Sequence, residues 1–185
     1  KTNRIRKKKQ YLSDGILCEF NLNPPKHYEE NNEILNRIKN SNDANSLFNL
    51  FGEIVLKIKD ERYYNRDIGQ YDELLLELIK NPNMNLNRRF EYGYNVWCTP
   101  LFILTCLNEA YVLQEALKRD DADVTVYSGY SRDLSVLDQA IKHHIDACSY
   151  VFLKEPKMAQ YIKPRLNEFK SMQISPFTRV LFETY

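Results

Sequence analysis

Thr99, Ser135 and Ser175 each open an apolar helical stripe, and they recur 36 and 40 residues apart. This recurrence constrains the fold more than any bulk property. A repeat of about 20–50 residues is one supersecondary unit that hides its apolar face only by stacking on its neighbours. In the first unit Thr99 is a good N-cap and Pro100 suits the first helical position. Leu101, Leu104 and Thr105 then share a face, Asn108 interrupts, and Val112, Leu113, Ala116 and Leu117 form a second stripe. The second unit reads Ser135-Val136-Leu137-Asp138-Gln139-Ala140-Ile141. A stripe of Ala147, Cys148, Val151 and Phe152 follows, and Pro156 stops it. Ser175-Pro176-Phe177, with Val180 and Leu181, starts a third unit that is cut short at Tyr185, so the array is expected to continue beyond 185. Between the second and third units, Tyr161, Ile162, Leu166 and Phe169 predict an added helix broken near Pro164.

Upstream the pattern is looser. Residues 45–58 predict a first helix, with Ile54, Val55 and Ile58 on its stripe, and Asp72 to Lys80 a second, with Leu74, Leu75, Leu78 and Ile79. A charged, Tyr-rich insertion is placed at 59–70. Asn83 to Asn87 closes the unit, and Leu86 precedes Val124 by 38 residues. Glu30 to Asn40 is expected to be the outer helix of a terminal cap, since end units in such arrays are atypical. Residues 15–28 contain Pro24-Pro25 and no period, and are expected to be loop with at most a short extended segment.

Thr99-Pro100-Leu101 and Ala122-Asp123-Val124 resemble the opening and closing of an ankyrin repeat, whose period is about 33 residues. The family has a Gly-His turn where Asn108-Glu109 stand, and a Gly where Asp120-Asp121 precede the closing triplet. The resemblance covers roughly residues 30–185 and is clearest at 99–124 and 135–153. It implies an all-α, ankyrin-like stack of helix pairs, an α-solenoid of three to four degenerate repeats. Residues 1–14 form a basic N-terminal tail, and 15–185 the helical repeat domain. A tetratricopeptide array is the structural alternative.

Composition narrows the function classes. Lys1, Arg4, Arg6, Lys7, Lys8 and Lys9 hold six of the 26 basic residues, so the other 20 face 25 acidic ones. A basic tail on a mildly acidic body lacks the basic face that nucleic-acid binding requires, and no nucleic-acid partner is expected. No apolar run approaches the ~18 residues of a membrane helix. Cys18, Cys98, Cys106 and Cys148 are irregularly spaced, and three sit in apolar, helix-like context, which favours reduced thiols in a cytoplasmic protein.

No cofactor and no metal are expected. Five scattered glycines build neither a Walker loop nor a dinucleotide fingerprint. His144 and Cys148 lie four apart on an expected helix, which would place an activating base beside a thiol, or two metal ligands. Cysteine/histidine enzyme chemistry is therefore an alternative function. Against it, His144 falls where an ankyrin turn begins, and Cys148 falls on a buried stripe. His27 shows no obvious partner, and Asp72, Glu73 and Glu77 read as a solvated helix face.

Binding to a protein partner, through the inter-repeat loops and the concave face of the stack, is the expected function. The resemblance, with an Asn-, Lys-, Ile- and Tyr-rich composition typical of AT-rich genomes, implies a microbial or viral effector working in the host cytosol. A structural spacer within a larger protein is a third reading. The two expected inter-repeat loops, 87–97 and 126–133, mix Tyr, Trp and Arg with a turn Gly, the residue types enriched at binding hot spots. Arg89, Tyr92, Tyr94, Tyr127, Tyr130 and Arg132 are the candidate contacts, placed side by side on one rim. Trp97 is expected to pack against the Thr99 cap.

Overall fold

The structure, a computed structural model, describes residues 8–11, 17–20, 22–64, 66–93, 96–128 and 134–183. These residues are mostly helical. Three of the helices begin where the recurring hydroxyl residues stand. Thr99 caps α4 (Pro100–Cys106) by accepting from the Phe102 N–H at 3.3 Å, and Ser135 caps α6 (Val136–Lys142) through the Asp138 N–H at 3.2 Å. Ser175 caps α10 (Pro176–Glu183) through the Thr178 N–H at 3.0 Å. Each cap satisfies a backbone donor that the helix itself leaves without a partner.

Three of the first helices have a companion. α4 turns into α5 (Ala110–Leu117) and α6 into α7 (Asp146–Lys154). α2 (Ala44–Tyr63), capped by Asp43, is followed by α3 (Gly69–Lys80). The companions line up in a row: α1 (Asn32–Asn40) packs on α3, α3 on α5 and α5 on α7, and α7 packs in turn on the first helix α10. α4 packs on α6 across the other row. The predicted stripes are the buried ones, with Leu101, Leu104, Leu113, Ala116, Leu117, Cys148 and Phe152 fully enclosed. The added helix before α10 is also present, as α8 (Ala159–Ile162) and α9 (Leu166–Ser171) around a 3-10 turn holding Pro164. Phe169 of α9 stacks on Phe182 of α10, with centroids 5.5 Å apart.

Side chains pin each outer-row end to the one before it. The Asn81 amide donates to Ile38 O at 2.7 Å and Ser41 O at 3.1 Å, completing the end of α1. Arg119 donates to Ile79 O, Asn81 O and Met84 O at 2.8–2.9 Å, completing the end of α3. Lys157 donates to Arg119 O at 2.8 Å. The three donors stand 38 residues apart.

Three sequence expectations need correction. The described chain is not purely α. An antiparallel hairpin joins β1 (Lys8–Tyr11) to β2 (Leu17–Phe20), across the boundary drawn at residue 14. A second joins β3 (Phe90–Gly93) to β4 (Val96–Cys98), where a loop was expected. The insertion placed at 59–70 is mostly helix, because α2 runs on to Tyr63. Lys, Glu and Arg are good helix formers, and Ile58 keeps the buried stripe going.

Candidate functional site

Phe90 anchors the β3–β4 hairpin to α2, with its ring edge-on to Phe48 and Phe51 at centroid distances of 5.5 and 5.9 Å. Between the two elements runs an open groove of about 320 Å³, walled by Phe48, Leu56 and Phe90 and flanked by Glu53 and Glu91. Its floor is bare at Gly52, where an added Cβ would meet nothing within 4 Å. Leu56 is 50% exposed although it sits in the middle of a helix. Glu91 pairs with Trp97 across the hairpin, so the two project from the same face, and Trp97 is 38% exposed. Arg88 lies over Phe48, with its guanidinium 4.5 Å from the ring centroid and a 2.6 Å bond to Asn45 Oδ1.

Trp97 is thus more open than a side chain enclosed against the Thr99 cap would be. Alternation along β4 turns Cys98 inward, at 1% exposure, and Trp97 outward.

Three of the six expected contacts lie among the described residues. Arg89 is partly exposed where the hairpin starts. Tyr92 packs against the core, with Lys59 Nζ 5.2 Å from its ring centroid, and burial raises its phenol pKa. Tyr127 is 50% exposed and lines a small apolar pocket with Leu137, Met158 and Tyr161. Tyr94, Tyr130 and Arg132 lie outside the described residues. The bases of the two segments do meet. Asn87 donates to Asp121 O at 2.6 Å and accepts from the Asp123 N–H at 2.9 Å. The Thr99 N–H, just beyond β4, points at Ser128 Oγ at 3.3 Å. Ser128 in turn bridges to Leu134, which closes the second segment.

Sequence reasoning missed Gly52, Glu53 and Leu56. A signal existed: Leu56 falls off the stripe of Leu47, Phe51, Ile54, Val55 and Ile58, so a large apolar side chain is left on the open side of α2. It missed a second cluster as well. Asp72 and Glu109 line a cavity of about 350 Å³ between residues 23–28, the start of α3 and the α4–α5 turn. Asp72, Glu73 and Glu77 do not form a solvated face, because α3 is packed between α1, α2 and α5. Glu73 bonds His27 Nδ1 at 2.7 Å and accepts from the Tyr28 N–H, so His27 does have a partner.

His144 and Cys148 do not share a helix. His144 sits in the α6–α7 turn at φ 56°, and α7 begins at Asp146. Cys148 is fully buried, and burial with the nearby Glu109 charge pushes its thiol pKa far up, which is the opposite of an activated thiolate. Its thiol points to Thr105 O and Asn108 Oδ1 at 3.9 and 3.8 Å. Among the described residues there is no group of three or more His, Cys, Asp or Glu arranged to hold a metal ion. Among the same residues no helix is long and apolar enough to cross a membrane. No protein family, no curated protein and no solved structure matches the chain.

Proposed function

We propose that the chain is an ankyrin-like interaction module that binds a protein partner on the face formed by α2 and the β3–β4 hairpin. One observation carries the reading: Leu56 and Trp97 stay exposed beside a groove whose floor is an uncovered glycine. Exposed aromatic and aliphatic anchors around a pocket are the usual anatomy of a binding hot spot. Four features support the ankyrin-like reading: the recurring caps, the paired helices, the companion row, and the closing segments bonded at Asn87 and Asp123. Arg89 extends the face at the start of the hairpin, while Tyr127 lines a separate pocket. Tyr92 serves the face as packing under the hairpin.

Gly52 offers a clean test. Gly52→Leu projects a side chain toward the groove from a Cβ that meets nothing within 4 Å, and improves helix propensity by roughly 0.5–1 kcal/mol. Trp97→Ala removes the exposed ring. A partner captured by the wild-type chain should bind both variants at least about thirtyfold more weakly, the equivalent of about 2 kcal/mol. The melting temperature of Gly52→Leu should be unchanged or higher. Undiminished binding by both variants rejects the face as the site.

A further inference from the structure

Arg62, at the end of α2, reaches across to the α4–α5 turn and donates to Leu107 O at 2.7 Å, with Glu109 Oε1 3.4 Å away. Asp72, in the first turn of α3, lines the same cavity as Glu109. Its Oδ1 is buried and has no hydrogen-bond partner. Two carboxyls from different helix pairs thus converge beside one guanidinium. We propose that Asp72 and Glu109 form a proton-controlled joint between the α2–α3 and α4–α5 pairs, closed while the pair holds a proton and loosened when both are ionised.

Electrostatics support the geometry. Burial, against the pull of Arg62, pushes the Asp72 carboxyl up to about 6. Burial and the neighbouring Asp72 push Glu109 up to about 7. One guanidinium offsets one carboxylate, and a second negative charge in a poorly solvated site is unfavourable. A proton on the pair removes that charge. It also supplies an O–H donor beside the unpartnered Oδ1.

The charged and titratable groups around the pair are few. From the α2–α3 connection comes Asp67, whose charge acts against Asp72 ionising. Lys26 and Tyr28, from the segment before α1, line the cavity, as does Tyr111 of α5. Cys148 of α7 feels the Glu109 charge, with Cys106 of α4 beyond it. Glu73 is engaged with His27, and Lys39 of α1 meets Glu77 at 3.8 Å toward the other end of α3.

Unfolded carboxyls ionise near pH 4. The folded pair therefore binds extra protons from about pH 4 to 7, and stability falls as pH rises through that window. Glu73, Asp121, Asp138 and Glu168 have lowered values and act in the opposite sense, losing stability in acid. The difference between variant and wild type isolates the pair.

The inference does not depend on partner binding. The test compares melting of the full chain at pH 5.5 and 8.0 for wild type, Asp72→Asn and Glu109→Gln. Each variant should melt roughly 2–4 °C above wild type at pH 8.0, a shift typical of one neutralised repulsion at this chain length, and about level at pH 5.5. Amide exchange at Leu107 and Glu109 should be slower in Asp72→Asn at pH 8.0 and unchanged in α9. A variant-to-wild-type difference equal at both pH values overturns the proposal. Where a variant fails to fold, carboxyl ¹³C titration of the wild type decides. Titration of either group between about pH 5.5 and 7.5 upholds the joint, and ordinary titration of both near pH 4 overturns it.

Discussion

Asn108 and His144 occupy the same left-handed position, φ 59° and 56°, in helix turns 36 residues apart. Each ends a first helix in the same way: the next N–H, of Glu109 or Ile145, reaches back to Leu104 O or Ala140 O at 2.9 Å. That is a six-residue closing bond, a position where glycine is the usual occupant. Left-handed backbone costs an ordinary L-residue about 1–2 kcal/mol, whereas asparagine tolerates it far better. Replacement by glycine relieves that strain but loses about 0.5–1 kcal/mol to chain entropy. His144→Gly should therefore stabilise by about 0.5–1 kcal/mol and Asn108→Gly by close to nothing. Urea midpoints at unchanged slope measure both. A lower midpoint for His144→Gly would show that the turn carries no strain.

Arg119 is 16% exposed and holds three carbonyls of the preceding unit together with the Asp121 carboxylate at 2.6 Å. Arg119→Ala should cost about 2–4 kcal/mol, because charged hydrogen bonds are lost and the α3 end is left with unpaired acceptors. Arg119→Lys should recover less than half of this. A single ammonium does not reproduce the fork that spans Ile79, Asn81 and Met84. Equal stability of the lysine and arginine forms in a chemical melt would contradict the fork geometry.

Cysteine labelling separates packing from chemistry. Iodoacetamide near neutral pH should leave Cys148 and Cys98 untouched in the folded chain, since both are buried. Cys106 is exposed as a residue, yet its sulfur is sheltered enough that burial pushes the thiol up to about 12. It should react more slowly than a free thiol in solution. Intact-mass analysis before and after denaturation reads the difference. Fast native labelling of Cys148 would restore the nucleophile that its burial removes.

Much of the fold was legible because its signals are local. A cap and the helix it starts sit within four residues, as at Thr99, Ser135 and Ser175, so chain order alone reveals them. The β3–β4 hairpin was not legible. Its strands are three and four residues long and owe their place to Phe90 meeting Phe48 and Phe51, some 40 residues earlier. The charged run after Ile58 looked like an insertion because polarity says little about helix continuation when one buried face suffices.

Of the candidate site, the aromatic segments were visible and the groove was not. Gly52 became a floor only when the hairpin folded over α2. Asp72 looked like any exposed helix carboxylate. Its burial comes from α5 and the Glu109 turn, which no periodicity within α3 encodes.

The donors Asn81, Arg119 and Lys157 all act backwards, each finishing a helix end made earlier in the chain. This gives the molecule a direction in time. During synthesis a helix pair leaves the ribosome with its last carbonyls open, and the side chain that closes them follows 35–43 residues later. At about 5–20 residues per second that interval is roughly 2–9 seconds, far longer than a helix takes to form. Each pair is thus born provisional and is locked only by its successor, so a ribosome that stalls within one interval holds a chain whose newest pair is still loose at its end.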